Sequence, residues 1–310
     1  MQIAVLDLGT NTFHLLIAES AGRNSWNKVH NERVTVKLGQ GGIGRSFIAP
    51  QPFRRGIRAI EKFHKEIKKR GIKSVFAFGT AALRNASNGK DFVSIVKQRF
   101  GITIKLISGD KEAELIYFGV RQAVDFTGAP SLIMDIGGGS VEFIIADVNG
   151  ILWKQSFPAG AALLIDTFRI SDPIKKSEIK LINEHLHALL SPLGKAIARH
   201  RPDRIIGSAG SFGTFASMIH AMFPKTGAHY NHTEFPIHIP HFRKLYQQLI
   251  VSDVNQRKKM KGLIKMRVDM IVPAAILLNF VLKMSDIKSL VLSAYALKEG
   301  AVYEVLRKSK

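Results

Sequence analysis

Short apolar runs alternate with helical repeats through the first part of the chain. Two strands, Ile3–Leu8 and Phe13–Ala18, flank a turn that contains a glycine. From Pro52 onward apolar residues recur at helical spacing as far as Ile67, and Gly71 follows as a stop signal. Further strands are predicted at Arg33–Leu38, Lys73–Phe78 and Ile102–Ile107, and further helices at Phe92–Phe100 and Lys111–Val124. This order of elements is typical of a mixed α/β domain.

The second part of the chain shows the same order of elements. Its strands are expected at Leu132–Ile136, Val141–Asp147 and Leu152–Phe157, followed by a helix at Leu163–Phe168. A long helix is predicted from Lys175 to His200, kinked at Pro192 because proline cannot donate a helix hydrogen bond. The remaining predictions are a strand at Arg204–Ile206, a helix at Phe212–Ala221, an irregular stretch at Phe223–Pro240, helices at Leu245–Ile250, Val268–Lys283 and Ala296–Arg307, and a strand at Ser289–Ser293.

One stretch occurs twice, since Leu6–Glu19 aligns without gaps with Met134–Asp147. The aspartate at the strand end and the first glycine of the turn are identical in both copies, and most apolar positions keep their character. The repeat indicates duplication, although two unrelated glycine-turn hairpins are an alternative. We therefore predict domains at 1–124 and 125–310, with the last helix, about 296–310, as a candidate to pack back on the first domain.

The repeated turn has the residues expected of a phosphate and metal site. Glycines let the backbone approach a ligand closely, and successive free N–H groups bind anionic oxygens. The predicted phosphate-binding residues of the two turns are Gly9, Thr10, Asn11, Thr12, Gly137, Gly138, Gly139 and Ser140. Asp135 and Glu142 offer hard oxygen ligands for Mg²⁺ or another divalent cation.

The two copies differ at one position that matters for this chemistry. His14 stands in the first copy where Glu142 stands in the second, so the first turn favours phosphate and the second favours metal. His14 is a candidate phosphate donor, with a locally bonded strand histidine as the alternative. Asp7 is expected either to share the metal through water or to orient the nucleophile. Asp135 has a structural alternative, because an aspartate can simply cap a glycine turn.

Composition and charge limit the classes of partner that the protein is expected to bind. The 310 residues contain no cysteine and carry a formal net charge of +21. The charge favours polyanionic partners, and the lack of cysteine is compatible with a reducing cytosol, so a cytoplasmic location is expected. No apolar run approaches the roughly 20 residues of a membrane helix, and no secretory signal is visible. We therefore expect no membrane partner, and no specific nucleic acid because no reading motif is present.

Seven segments together resemble the exopolyphosphatase/guanosine pentaphosphate phosphohydrolase (Ppx/GppA) family. They are Asp7–Phe13, Gly79–Arg84, Ile107–Ile116, Asp135–Glu142, Gly207–Ser211, Arg267–Pro273 and Leu297–Gly300, in the family's order. The resemblance implies an actin/Hsp70/sugar-kinase fold: two ribonuclease-H-like α/β domains related by duplication, with the active site in the interdomain cleft. It is to the short form, without the C-terminal His-Asp domain. The chain departs from the family's pattern at Phe78, at Lys111, where an acidic residue is usual, and at Ala209, where Ser or Gly is usual.

The resemblance also implies roles for single residues. Glu112 matches the family's catalytic base, although an acid in a helix's first turn also complements the helix dipole. Arg84 and Arg267 match arginines that bind phosphate, with exposed surface cations as the alternative. Gly210 and Ser211 open a helix at a third loop, where backbone N–H groups suit an anion.

These features favour a metal-dependent phosphohydrolase that releases terminal orthophosphate from inorganic polyphosphate, from guanosine pentaphosphate, or from both. The alternatives are an ATP-dependent kinase of the same fold and a non-catalytic polyphosphate-binding protein. The sequence does not rank the two substrates, and it leaves a homodimer open.

Overall fold

The computed structural model describes residues 1–22, 25–126, 128–224 and 233–308. The chain forms two compact units. The first runs from Met1 to Gly119 and also includes the segment that starts at Leu297, while the second is Val120–Ala296. The junction thus lies a few residues before the sequence-based boundary. Each unit has its own apolar core.

The first unit is built on a five-stranded sheet with the order β3-β2-β1-β4-β5. Its strands are β1 (Gln2–Leu8), β2 (Thr12–Ser20), β3 (Trp26–Thr35), β4 (Ser74–Gly79) and β5 (Ile104–Leu106). The β1–β2 and β2–β3 pairs are antiparallel, and β1, β4 and β5 run parallel. Its helices are α1 (Pro50–Lys69), α2 (Ala81–Asn85), α3 (Gly89–Phe100), α4 (Gly109–Val120) and α12 (Leu297–Lys308).

The second unit has a six-stranded sheet with the order β10-β11-β9-β6-β7-β8. Its strands are β6 (Ser131–Ile136), β7 (Val141–Ala146), β8 (Ile151–Phe157), β9 (Arg204–Ser208), β10 (Glu234–Pro236) and β11 (Ser289–Ser293). Its helices are α5 (Ala161–Phe168), α6 (Lys176–Leu189), α7 (Ser191–His200), α8 (Ala209–Met222), α9 (Ile239–Val251), α10 (Val254–Lys259) and α11 (Ile271–Ser285). No helix in these described ranges is both long and apolar enough to cross a membrane.

The two sheets correspond strand by strand. The order β3-β2-β1-β4-β5 matches β8-β7-β6-β9-β11, with an antiparallel hairpin and then parallel strands in both. A helix follows the last parallel strand in each case, α4 after β5 and α12 after β11. The predicted mixed α/β class and the internal duplication therefore agree with the topology.

The structure differs from several of the local predictions. The third strand is Trp26–Thr35 rather than Arg33–Leu38, because it is an edge strand with mostly exposed residues and lacks a clear apolar alternation. The predicted kink at Pro192 is a break, with α6 and α7 as separate helices. The short helix α2 and strand β10 were not predicted. Part of the predicted irregular stretch, 225–232, lies outside the described residues.

Candidate active site

Three segments of the first unit that carry predicted site residues follow parallel strands that end at one edge of the sheet. Leu8, Gly79 and Leu106 are register partners at the ends of β1, β4 and β5. The first turn follows β1, Arg84 lies on α2 after β4, and Glu112 lies on α4 after β5. Ligand sites of α/β sheets form at the carboxyl ends of the parallel strands. The fold thus assembles segments that are far apart in sequence.

The carbonyl groups of the first turn accept hydrogen bonds from the loop that follows β3. The N–H of Gly9 donates to the carbonyl of Thr12 at 3.1 Å and closes the turn. The carbonyl of Thr10 accepts from the N–H of Gly39 at 3.2 Å, and that of Asn11 accepts from the N–H of Lys37 at 2.8 Å. In a trans peptide the N–H points away from the carbonyl of the preceding residue. The N–H groups of Asn11 and Thr12 therefore point away from this supporting loop.

Two side chains of the first turn have buried polar atoms without a partner. Asn11 Nδ2 and Thr12 Oγ1 are buried and make no hydrogen bond with the residues that the structure describes. A buried polar group without a partner costs about 1–3 kcal/mol. Such atoms beside a glycine turn with outward N–H groups fit an anionic ligand that accepts hydrogen bonds from them.

Glu112 is fixed by an arginine that the sequence also singled out. Arg84 Nη1 donates to Glu112 Oε2 at 3.1 Å and to the carbonyl of Ile107 at 2.8 Å. The Glu112 side chain is 10% exposed and that of Arg84 is 23% exposed. The other guanidinium nitrogens of Arg84, Nε and Nη2, make no hydrogen bond with the described residues. Arg84 therefore orients the carboxylate and keeps donors for a further anion.

The helix that carries Glu112 is anchored by α12. Lys111 Nζ lies 2.8 Å from Glu304 Oε2 and 3.0 Å from Glu114 Oε2. Burial alone lowers the pKa of Lys111, but the two carboxylates outweigh it and raise that pKa. Burial likewise raises the pKa of Glu304, but Lys111 and Lys308 outweigh it and lower that pKa. Gly300 lets α12 approach closely, because a Cβ there would overlap the carbonyl of Leu115.

The second turn repeats the backbone geometry of the first. The N–H of Gly137 donates to the carbonyl of Ser140 at 3.0 Å. The carbonyls of Gly137 and Gly138 accept from the N–H groups of Ala161 at 3.0 Å and Ala162 at 2.9 Å, in the first turn of α5. The N–H groups of Gly138 and Gly139 therefore point away from α5.

Two buried carboxylates lie directly opposite each other beside the second turn. Asp135 and Glu142 are register partners in the β6–β7 hairpin, at 6% and 1% exposure. Ser208 Oγ donates to Asp135 Oδ2 at 2.5 Å, and Ser156 Oγ donates to Glu142 Oε1 at 2.7 Å. Opposed cross-strand residues have Cβ atoms about 4.5–5.5 Å apart.

This donor set fits Mg²⁺. That ion takes one or two carboxylates and completes its shell with waters and substrate phosphates. A divalent cation would also offset the cost of burying two carboxylates together. Among the described residues no group of three or more histidine and acidic side chains could hold a metal ion.

A third loop lies in the second unit, after β9. Arg267 Nη1 donates to Ser211 Oγ at 3.1 Å. A Cβ at Gly210 would overlap the Arg267 guanidinium, so glycine is required for this approach. Ala209 has φ +63°, in the left-handed region that favours glycine. This departure from the family's pattern therefore stores backbone strain at the loop.

The sequence model of the Ppx/GppA phosphatase family matches residues 16–309. This chain belongs to the Ppx/GppA phosphatase family. The predicted resemblance is thereby confirmed, and the chain is a hydrolase that acts on phosphoanhydride bonds.

Solved structures and a sequence relative agree with this assignment. The crystal structure of an exopolyphosphatase from Cytophaga hutchinsonii has a TM-score of 0.95 and 39% sequence identity, over 100% of this chain and 99% of that chain. A Ppx/GppA family member from Aquifex aeolicus has a TM-score of 0.80 and 22% identity, over 100% of this chain and 99% of its own. Exopolyphosphatase 1 of Mycobacterium tuberculosis is 24% identical over 307 residues, 99% of this chain and 88% of that protein. The predicted actin-like, two-domain α/β fold is confirmed.

Within this Ppx/GppA protein the predicted site residues fall into one set per unit. The first unit contains Asp7, Gly9, Thr10, Asn11, Thr12, His14, Arg84 and Glu112. The second contains Asp135, Gly137, Gly138, Gly139, Ser140, Glu142, Gly210, Ser211 and Arg267. Asp7 and His14 are register partners in the first hairpin, as Asp135 and Glu142 are in the second.

Two serines of the Ppx/GppA site were missed by sequence reasoning. Ser208 ends β9 and is the register partner of Asp135, and Ser156 on β8 is the register partner of Glu142. Ser208 lies inside the Gly207–Ser211 motif, so the rule that parallel strands end at one edge could have placed it beside Asp135. Ser156 has no local signal, because its role depends on the pairing of β7 with β8.

Proposed function

We propose that this Ppx/GppA protein is an exopolyphosphatase, which uses a divalent cation to release terminal orthophosphate from inorganic polyphosphate. The observation that carries the proposal is the buried Glu112 carboxylate, fixed by Arg84 at the sheet edge where the first turn also lies. The relatives from Cytophaga hutchinsonii and Mycobacterium tuberculosis are named exopolyphosphatases. The net charge of +21 supports a polyanionic substrate, because it attracts and steers such a chain.

Phosphate binding is assigned to the two turns and the arginines. In the first turn, Asn11 Nδ2 and Thr12 Oγ1 donate to phosphoryl oxygens together with the outward N–H groups. In the second turn Gly138 and Gly139 offer N–H groups and Ser140 offers a hydroxyl, and Arg84 and Arg267 add guanidinium donors. Positioning and charge neutralisation supply most of the catalysis in phosphoryl transfer.

Asp135 and Glu142 hold the divalent cation in this proposal. The cation, when bound, neutralises charge on the phosphoryl oxygens. Ser208 and Ser156 keep the two carboxylates oriented through their hydroxyl groups. Such partners of metal ligands fix ligand orientation and tune affinity.

Glu112 acts as general base on the attacking water. The water oxygen forms a bond to the terminal phosphorus, Glu112 accepts the water's proton, and the bridging P–O bond breaks. The products are orthophosphate and a polyphosphate chain shortened by one unit. Arg84 holds the Glu112 carboxylate in position for this transfer. Asp7 is assigned to orient the water or to bind the cation through water.

Phosphate release from four substrates tests the proposal. Long polyphosphate, tripolyphosphate, guanosine pentaphosphate and ATP are compared with Mg²⁺, with EDTA, and with Mg²⁺ restored in excess. We expect fastest release from polyphosphate, arrest by EDTA and recovery with Mg²⁺. Faster release from guanosine pentaphosphate would assign the alarmone instead, and ATP use that depends on an acceptor would indicate a kinase. Binding of polyphosphate without any release would indicate a non-catalytic binder, and EDTA-resistant turnover would refute the metal.

A further inference from the structure

The apolar helix α11 contains one polar side chain among its buried residues. Asn279 interrupts the otherwise apolar run Ile271–Leu282 and is 9% exposed. Its side chain makes no hydrogen bond with the residues that the structure describes. The amide is not among the buried polar atoms that lack a partner in the described residues, so it reaches the surface. It therefore has donors and an acceptor that are open to a ligand.

Asn279 lines a pocket of about 490 Å³ between α9 and α11 in the second unit. Arg243, Lys244, Tyr246 and Gln247 of α9 and Asn279 and Lys283 of α11 line this pocket. The volume falls in the range of about 300–1,000 Å³ that is usual for small-molecule sites. A single orthophosphate would leave much of it unfilled.

The charges of the pocket select an anion. None of the described residues that line it carries a carboxylate, and Arg243, Lys244 and Lys283 are exposed cations. Lys244 Nζ also lies 5.6 Å from the ring centroid of Phe223. The nearby acid Asp286 pairs with Lys288, and Lys288 and then Arg243 lower its pKa.

The buried part of the pocket supplies neutral donors. Tyr246 is 8% exposed, and burial raises the pKa of its hydroxyl. The hydroxyl therefore keeps its proton at neutral pH. Together with the Asn279 amide it can donate to oxygens that the three cations attract.

We propose that this pocket is a second anion site that binds a diphosphate group, separate from the two turns assigned to the scissile phosphate. Asn279 follows the N-terminus of α11 by eight residues, or about 12 Å along the helix at 1.5 Å per residue. Arg267, the guanidinium of the third loop, precedes that helix. An inorganic diphosphate and the diphosphate of a nucleotide share the required chemistry.

Titration with two non-hydrolysable probes tests the site. Methylenediphosphonate and α,β-methyleneadenosine diphosphate are titrated into the full-length protein in metal-free buffer, by calorimetry and by NMR of asparagine side-chain amides. The Asn279 signal is identified by its absence from Asn279→Leu. We expect this signal to shift on binding, and Asn279→Leu and Lys283→Gln each to weaken the affinity by about tenfold or more.

The controls separate the pocket from general attraction and from the catalytic turns. Lys261→Gln removes an exposed cation elsewhere in the second unit and should bind the probes like the wild type. Tighter binding of the adenosine probe would identify a nucleotide as the ligand, and equal or weaker binding an inorganic diphosphate. Unchanged affinity in both pocket variants, with an unmoved Asn279 signal, would overturn the proposal. Lys283→Gln changes only an exposed side chain, so it answers the question even if Asn279→Leu fails to fold.

Discussion

The first and second turns share a backbone but differ in side chains. Both are closed by an N–H of the leading glycine, Gly9 or Gly137, to the carbonyl three residues later. The first turn is supported by a loop and presents Asn11 and Thr12 with buried, unpartnered polar atoms. The second is supported by the N-terminus of α5 and presents Gly138, Gly139 and Ser140.

The strand residues beside the two turns also differ between the copies. Asp135 faces Glu142 in the second hairpin, whereas Asp7 faces His14 in the first. A pair of carboxylates attracts a divalent cation, while a histidine with amide and hydroxyl donors attracts phosphate directly. We therefore propose that the two copies kept one backbone geometry, and that a few side-chain differences divide them into a phosphate site and a metal site.

Substitution of the base should have the largest effect. In Glu112→Gln we expect kcat for polyphosphate to fall about 10²–10⁴-fold, because the general base is removed, while polyphosphate binding persists. Glu114→Gln is the matched control, since Glu114 is on the same helix and pairs with Lys111. Equal turnover in the two variants would remove Glu112 from its assigned role.

Removal of a hydroxyl behind the metal ligands should have the next largest effect. Ser208→Ala deletes the donor to Asp135, and we expect Mg²⁺ affinity or activity to fall about 10–100-fold. Ser289→Ala, at an exposed serine of β11, serves as the control in a Mg²⁺ titration of phosphate release. Wild-type Mg²⁺ dependence in Ser208→Ala would contradict the metal assignment of the second hairpin.

Displacement of Arg267 should weaken substrate capture. A methyl group in Gly210→Ala would push the guanidinium away from Ser211, and we expect kcat/KM to fall about tenfold with little change in melting temperature. In Gly213→Ala, on the same helix, the new methyl group meets nothing within 4 Å. Steady-state kinetics that do not distinguish these two variants would argue against phosphate binding by Arg267.

Substitution of Thr12 should have the smallest effect on activity, and it separates the contribution of this residue to stability from its contribution to substrate binding. Thr12→Val removes a buried hydroxyl without a partner, so we expect an unchanged or higher melting temperature. The same change removes a donor to phosphate, so KM should rise about fivefold. Thr35→Val, at the exposed register partner of Thr12, controls for loss of a hydroxyl. A lower melting temperature with unchanged KM would show that Thr12 has a purely structural role.

The sequence was most informative where the determinants are local. Helical spacing located α1, and the repeated aspartate–glycine stretch located both hairpins, because periodicity and turn residues act over a few positions. It was least informative where a contact depends on strand pairing. The Glu142–Ser156 contact needs the register of β7 with β8, and the Arg84–Glu112 ion pair joins two segments at the ends of parallel strands.

Edge position and backbone strain also have no reliable local signal. Val36 and Leu38 are apolar and buried, yet they lie in the loop behind the first turn, which is why the third strand was placed too late. Ala209 adopts a left-handed conformation that its residue type does not favour, so only the structure reveals the strain.

Affinity for Mn²⁺, used as a probe of the divalent site, compares the two copies most directly. It would be measured by calorimetry or electron paramagnetic resonance for wild type, Asp7→Asn and Asp135→Asn. We expect Asp135→Asn to lose more than about a hundredfold in affinity, while Asp7→Asn stays within about tenfold of the wild type. Equal losses in the two variants, or a larger loss in Asp7→Asn, would contradict the division of the duplicated turns into a phosphate site and a metal site.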